Sequence, residues 1–70
     1  MTNYAVLVDD GDHSERAGEF TSLKEAIDCY VKCILNPEEG ELKVEIVIVE
    51  EKGDYVDITS HEFTEPIART

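Results

Sequence analysis

Only one stretch of this chain has a helical period, and two strand-like segments stand on either side of it. No other feature restricts the architecture as much. The helical stretch opens on Ser22-Leu-Lys-Glu25, a capping-box pattern. In such a box the Ser22 hydroxyl accepts from the Glu25 N–H and the Glu25 carboxylate reaches back. Leu23, Ala26, Ile27, Tyr30, Val31 and Ile34 then recur at helical spacing, which predicts one buried stripe. Lys24, Glu25, Asp28 and Lys32 fall on the water side. Asn36-Pro37 closes the helix near Leu35, because the residue before proline avoids the helical region.

The flanking segments read as strands. Tyr4 to Val8 is a short apolar run, and Asp9-Asp-Gly-Asp-His13 is turn chemistry. Ser14 to Phe20 is a more polar strand whose Gly18 marks a bulge or an edge. Leu42 to Glu51 alternates most clearly, with Val44, Ile46 and Ile48 on one face and Glu45, Val47 and Val49 on the other. Glu51-Lys-Gly-Asp54 is a hairpin turn in which Gly53 supplies a positive φ. Tyr55 to Phe63 forms the last strand, with Val56 and Ile58 on one side and Tyr55, Asp57, Thr59 and His61 on the other. Glu65-Pro66 ends it. The order β-β-α-β-β predicts an α+β domain over residues 1–66, a four-stranded antiparallel sheet with one helix packed on one face, followed by a loose tail over 67–70.

A chain of 70 residues buries only about 60% of its unfolded surface, so one thin core is expected. One helix covers one sheet face. The other face, carrying Val47 and Val49 beside Glu45, Tyr55, Asp57 and Thr59, is too apolar to be plain solvent surface and too charged to be a second core. A docked partner or a homodimer through this open face is the expectation.

Residue types for catalysis or metal binding are present without the spacing that such chemistry needs. Cys29, Cys33, His13 and His61 are the soft ligands, but the histidines fall far from the cysteines, so no zinc site is predicted. Cysteines four apart on one helix have Cβ atoms about 5–6 Å apart, too far for the ~3.5–4.5 Å of a disulfide. Counted from Asp10, the sixth and twelfth residues of a would-be calcium loop are Glu15 and Thr21, where Gly and Glu are required. Ser14 and Ser22 lack a nucleophile elbow, and Ser22 is explained as a cap. Neither an enzyme nor a cofactor is expected.

What remains is charge. The chain carries 17 Asp+Glu against 6 Lys+Arg, a formal net charge of −11. Solubility of a small domain asks for a net charge of about 2–8 in magnitude, and the excess repels itself. A cationic partner is the benefit that offsets it. The carboxylates cluster as Asp9, Asp10 and Asp12 with Glu15, then Glu38, Glu39 and Glu41, then Glu50, Glu51 and Asp54. Glu45 and Asp57 lie on strand faces, and Tyr55 is a candidate aromatic anchor. Alternate strand positions lie about 6.6 Å apart. Such an array can compete for a Lys/Arg groove built for the phosphates of a duplex. The expected partner is a basic nucleic-acid-binding protein or ribonucleoprotein complex, with no direct binding of nucleic acid or membrane. No stretch approaches 18 apolar residues, and Met1-Thr2-Asn3-Tyr4 lacks a basic leader. A cytoplasmic location follows as the expectation, and cysteines kept reduced fit it.

In length, charge and β-β-α-β-β layout, with Gly18-Glu-Phe-Thr-Ser-Leu-Lys-Glu-Ala-Ile27 leading into the helix, the chain resembles small acidic phage-encoded inhibitors of bacterial defence, the anti-CRISPR and anti-restriction DNA mimics. The resemblance implies a non-enzymatic, stoichiometric inhibitor acting in the bacterial host cytoplasm. It would block the nucleic-acid site of a CRISPR effector or another defence nuclease. The strand, turn, strand and Thr21-Ser-Leu-Lys-Glu-Ala-Ile27 also resemble HicB-type antitoxin domains, which implies neutralisation of a basic RNase toxin. That family's Gly-rich, proline-containing segment before the helix is missing here. A homodimeric interaction protein without mimicry is the third reading.

Overall fold

A computed structural model describes residues 2–64. The tail expected over 67–70 and the strand-breaking Glu65-Pro66 lie outside the described residues. The fold is α+β: β1 (Asn3–Asp9), β2 (Ser14–Phe20), α1 (Leu23–Leu35), β3 (Lys43–Val49) and β4 (Tyr55–Glu62). The four strands form one open antiparallel sheet in the order β2-β1-β3-β4, and α1 packs chiefly across β2, β1 and β3.

The helix begins where the sequence places it. Ser22 has an extended backbone, and its hydroxyl accepts from the Glu25 N–H at 3.4 Å. The return bond from the Glu25 carboxylate is not formed among the described residues. At the other end the Asn36 N–H donates to the Lys32 carbonyl at 2.9 Å, and Pro37 follows.

Period-2 alternation divides β1 and β3 between two small clusters. Val6, Val44 and Ile46 face the helix with Ala26, and Tyr4, Phe20, Tyr30 and Phe63 pack round them. Ala5, Leu7 and Val47 form the second cluster on the other face, flanked by Val49.

The helix is rolled away from the stripe that its periodicity predicts. Ala26 is fully buried, and Cys29, Tyr30, Cys33 and Ile34 pack on the core. Leu23, Ile27, Val31 and Leu35 are exposed. Bulky side chains on the sheet are matched by small ones on the helix, which lets the two approach. Gly18 extends that logic, since a Cβ there would stand 2.7 Å from Phe20 Cζ and 3.6 Å from Cys29 Sγ. The sheet order also leaves β4 beyond the main helix contact, with Val56 and Ile58 exposed.

Two register shifts finish the layout. Between β1 and β2 the pairing passes from Val6↔Gly18 to Leu7↔Arg16, so Ala17 is the extra residue of the irregularity that Gly18 announced. Between β3 and β4 it passes from Ile46↔Thr59 to Val47↔Asp57, so Ile58 is extra. Thr59 and His61 therefore stand opposite Ile46 and Val44 on the helix side. Unbroken alternation had put them beside Tyr55 and Asp57. The His61 ring meets Phe63 edge-on, with centroids 5.1 Å apart.

Candidate partner-binding surface

The antiparallel order carries the carboxylate groups to two ends of the sheet. The β1–β2 turn, with Asp9, Asp10 and Asp12, lies at the same end as the α1–β3 loop, with Glu38, Glu39 and Glu41. The β3–β4 turn, with Glu50, Glu51 and Asp54, lies at the other end. Seven residues of β3 separate the ends, roughly 20 Å at about 3.4 Å per residue.

At the first end two runs about thirty positions apart in sequence are tied together. The Leu42 N–H donates to the Asp9 carbonyl at 2.8 Å, and the Phe63 N–H to the Leu42 carbonyl at 2.9 Å. Gly11 packs so closely over Leu42 that a Cβ would fall 2.9 Å from Leu42 Cδ1, and its φ of 97° is one that L side chains rarely adopt. Two carboxylates of the turn bind their own backbone. Asp9 Oδ1 accepts from the Gly11 N–H at 2.7 Å, and Asp10 Oδ1 accepts from the N–H groups of His13 at 2.7 Å and Asp12 at 3.0 Å. Those bonds, His13 first, hold the Asp10 carboxyl below its ordinary value.

The joined loops enclose a cleft of about 190 Å³ lined by Val8, Asp10, His13, Glu15, Glu38, Glu39 and Glu41. A second cleft of about 280 Å³ shares Val8, Glu15, Glu38 and Glu41 and adds Arg16 and Cys33. Glu41 is only 6% exposed, and its Oε2 is buried with no hydrogen-bond partner among the described residues. Burial raises the Glu41 carboxyl above its ordinary value, and the Glu38 charge adds to this while the Glu38 backbone N–H opposes it. Cys33, in the wall of the larger cleft, is pushed up to about 11 by burial, then by Cys29 and by the Glu41 and Glu38 charges. Its thiol stays protonated near neutral pH and is a poor nucleophile. Both cysteines are free.

The face away from the helix covers its own aliphatic centre. Arg16 on β2 and Tyr55 on β4 belong to opposite edge strands. The Arg16 Nη2 donates to the Tyr55 hydroxyl at 2.7 Å, and its guanidinium carbon lies 5.9 Å from the Tyr55 ring centroid. Glu19 pairs with the same guanidinium. This strap crosses β1 and β3, where Ala5, Leu7 and Val47 are buried. The Tyr55 hydroxyl, on the ring picked out as an anchor, is thus occupied within the chain. Glu45 and Asp57 lie on this face. Burial raises the Glu45 carboxyl, the Asp57 carboxyl raises it further, and Lys43, with Nζ 4.0 Å away, opposes them.

Of the residues selected on charge, the structure gathers Asp9, Asp10, Asp12, Glu38, Glu39 and Glu41 at one end. It leaves Glu50, Glu51 and Asp54 at the other, and Glu45, Tyr55 and Asp57 on the face between. Glu15, grouped with the β1–β2 turn on sequence, stays with the first group because it pairs with Val8 and lines the same cleft. Among the described residues no three His, Cys, Asp or Glu side chains are placed to hold a metal ion, and no helix is long and apolar enough to cross a membrane. Comparison with protein-family models, curated proteins and solved structures returns no match to this chain.

Proposed function

We propose that this protein acts by stoichiometric binding, as an inhibitor that occupies the nucleic-acid site of a basic partner. The convergence of two sequence-distant acidic runs at one end of the sheet carries this reading. Among the described residues, every side chain lining the smaller cleft other than Val8 and His13 is a carboxylate. Carboxylates held on tethered loops present a fixed anionic surface with little ordering left to do on binding. A Lys/Arg groove that accepts phosphates accepts such a surface, and the complementary fields raise the association rate. The resemblance to phage inhibitors points to a bacterial defence nuclease complex as the partner.

The experiment has two stages. Proteins retained from a bacterial lysate at low salt and released at high salt are identified. The purified partner is then titrated with this protein while its DNA or RNA binding is followed. Loss of nucleic-acid binding that is complete at a fixed molar ratio supports the proposal. A partner that keeps its nucleic acid, or inhibition by catalytic amounts, rejects it. Charge reversal maps the contact: Glu15, Glu38 and Glu39 changed to Lys weaken binding about tenfold or more, whereas reversal of Glu50, Glu51 and Asp54 has the smaller effect.

A further inference from the structure

The buried Glu41 carboxyl takes a hydrogen bond from the Glu38 backbone N–H, but its second oxygen is not explained by the fold. Buried polar groups are nearly always hydrogen-bonded, and an unsatisfied one calls for a reason. Glu41 stands in the wall shared by both clefts, its Oε2 unpartnered among the described residues. The one guanidinium among the described residues does not serve it. Arg16 contributes to the lining of the larger cleft, but its guanidinium lies on the sheet face away from the helix, where it donates to Glu19 and Tyr55. The surroundings are anionic, with Glu15 and Glu38 lining both clefts and Asp10 the smaller one.

We propose that this pair of clefts is a receptor for one guanidinium group, an arginine side chain of the partner, with Glu41 as the carboxylate at its centre. A metal ion fits less well, because among the described residues the ligating side chains do not converge in threes. They are spread round a space of about 190–280 Å³, which suits a planar group with several donors. Guanidinium offers five N–H groups in a fixed fork, and it sheds water more readily than an ammonium. Val8 and Cys33 supply apolar surface for its face and stem. Oε2 is covered, so docking requires the Glu41 side chain to turn outward or Glu38 to part from it. A raised Glu41 proton affinity fits a carboxylate that waits for a cation.

The inference rests on the proposed function for the source of the arginine, but its test needs no partner. The full chain, isotopically labelled, is titrated by NMR with N-acetyl-arginine methylamide at constant ionic strength. N-acetyl-lysine methylamide, sodium chloride and calcium chloride serve as comparisons. Saturable shifts confined to the amides around His13–Glu15 and Glu38–Leu42, strongest with the arginine probe, are expected. In Glu41→Gln the affinity falls about tenfold, as for loss of one charge-assisted bond. Should that variant not fold, Glu38→Gln is read instead and shows a smaller loss. Shifts that follow ionic strength alone, that spread equally to Glu50–Asp54, or that saturate as well with lysine or calcium overturn the inference. So does unchanged affinity in a folded Glu41→Gln. A chain that binds the probe yet displaces no nucleic acid sinks only the proposed function. A Glu41→Gln chain that inhibits a partner as well as the wild type sinks only the receptor.

Discussion

Replacing Glu41 by Gln should stabilise the fold at neutral pH, the opposite of the usual outcome for a buried residue. The wild-type carboxylate is 6% exposed with one oxygen unpartnered among the described residues. An unsatisfied buried acceptor costs roughly 1–3 kcal/mol. Gln keeps the shape and still leaves one polar atom unpartnered, but it removes the charge, whose burial costs more than that of an amide, so a gain of about 1 kcal/mol is expected. In a domain of this size that is about 4–8 °C in Tm. The pH dependence follows from the direction of the shift. Folding raises the Glu41 value above its ordinary 4.5, so the folded chain binds this proton more tightly than the unfolded chain. That contribution to stability is complete below the unfolded value and is lost as pH rises through the folded one. The advantage of Glu41→Gln is therefore full at pH 7 and shrinks near pH 4. Urea unfolding followed by circular dichroism at both pH values measures it. Glu51→Gln, at an exposed turn position, controls for the general relief of net charge. A Glu41→Gln chain that is less stable at pH 7, or equally improved at both pH values, or no better than Glu51→Gln, refutes the reasoning. Together with lost guanidinium affinity, the gain would make Glu41 a site where stability is given up for binding.

Other expectations test the packing. Gly18→Ala forces a methyl against the Phe20 ring and lowers stability by about 1–3 kcal/mol in urea titration, with partial recovery when Phe20→Leu is added. The roll of the helix predicts that Ile46→Ala costs about 2–5 kcal/mol, whereas Ile27→Ala, at a site 43% exposed, costs less than half as much by the same measurement. Carboxyl-carbon NMR titration should find Glu45 above the usual glutamate range, and Asp57→Ala should bring it part of the way down, leaving the effect of burial.

The strands, the helix and their order were legible because their signals are local. Ser22 caps its own helix, Pro37 ends it, and alternation in β3 needs no partner to be seen. The roll of the helix was not legible. Large aliphatic residues dominate its wheel and point to Leu23, Ile27 and Val31, but contact is decided by what the sheet presents. Against Phe20, Tyr4 and Ile46 the close approach belongs to Ala26 and the cysteines. The faces of Thr59 and His61 turned on a one-residue shift at Ile58, and period-2 patterning carries no memory past such an insertion.

The acidic groups divide in the same way. By itself the sequence determined that the chain is strongly anionic and that its carboxylates fall in turn and loop runs, since charge and turn propensity belong to individual residues and their neighbours. Only the tertiary structure decided that the runs around Asp10 and Glu38 meet while Glu50–Asp54 is carried to the far end, and that Glu41 alone among them is buried. Strand direction and cross-strand hydrogen bonds set those distances, and both are properties of pairs of segments rather than of any one segment.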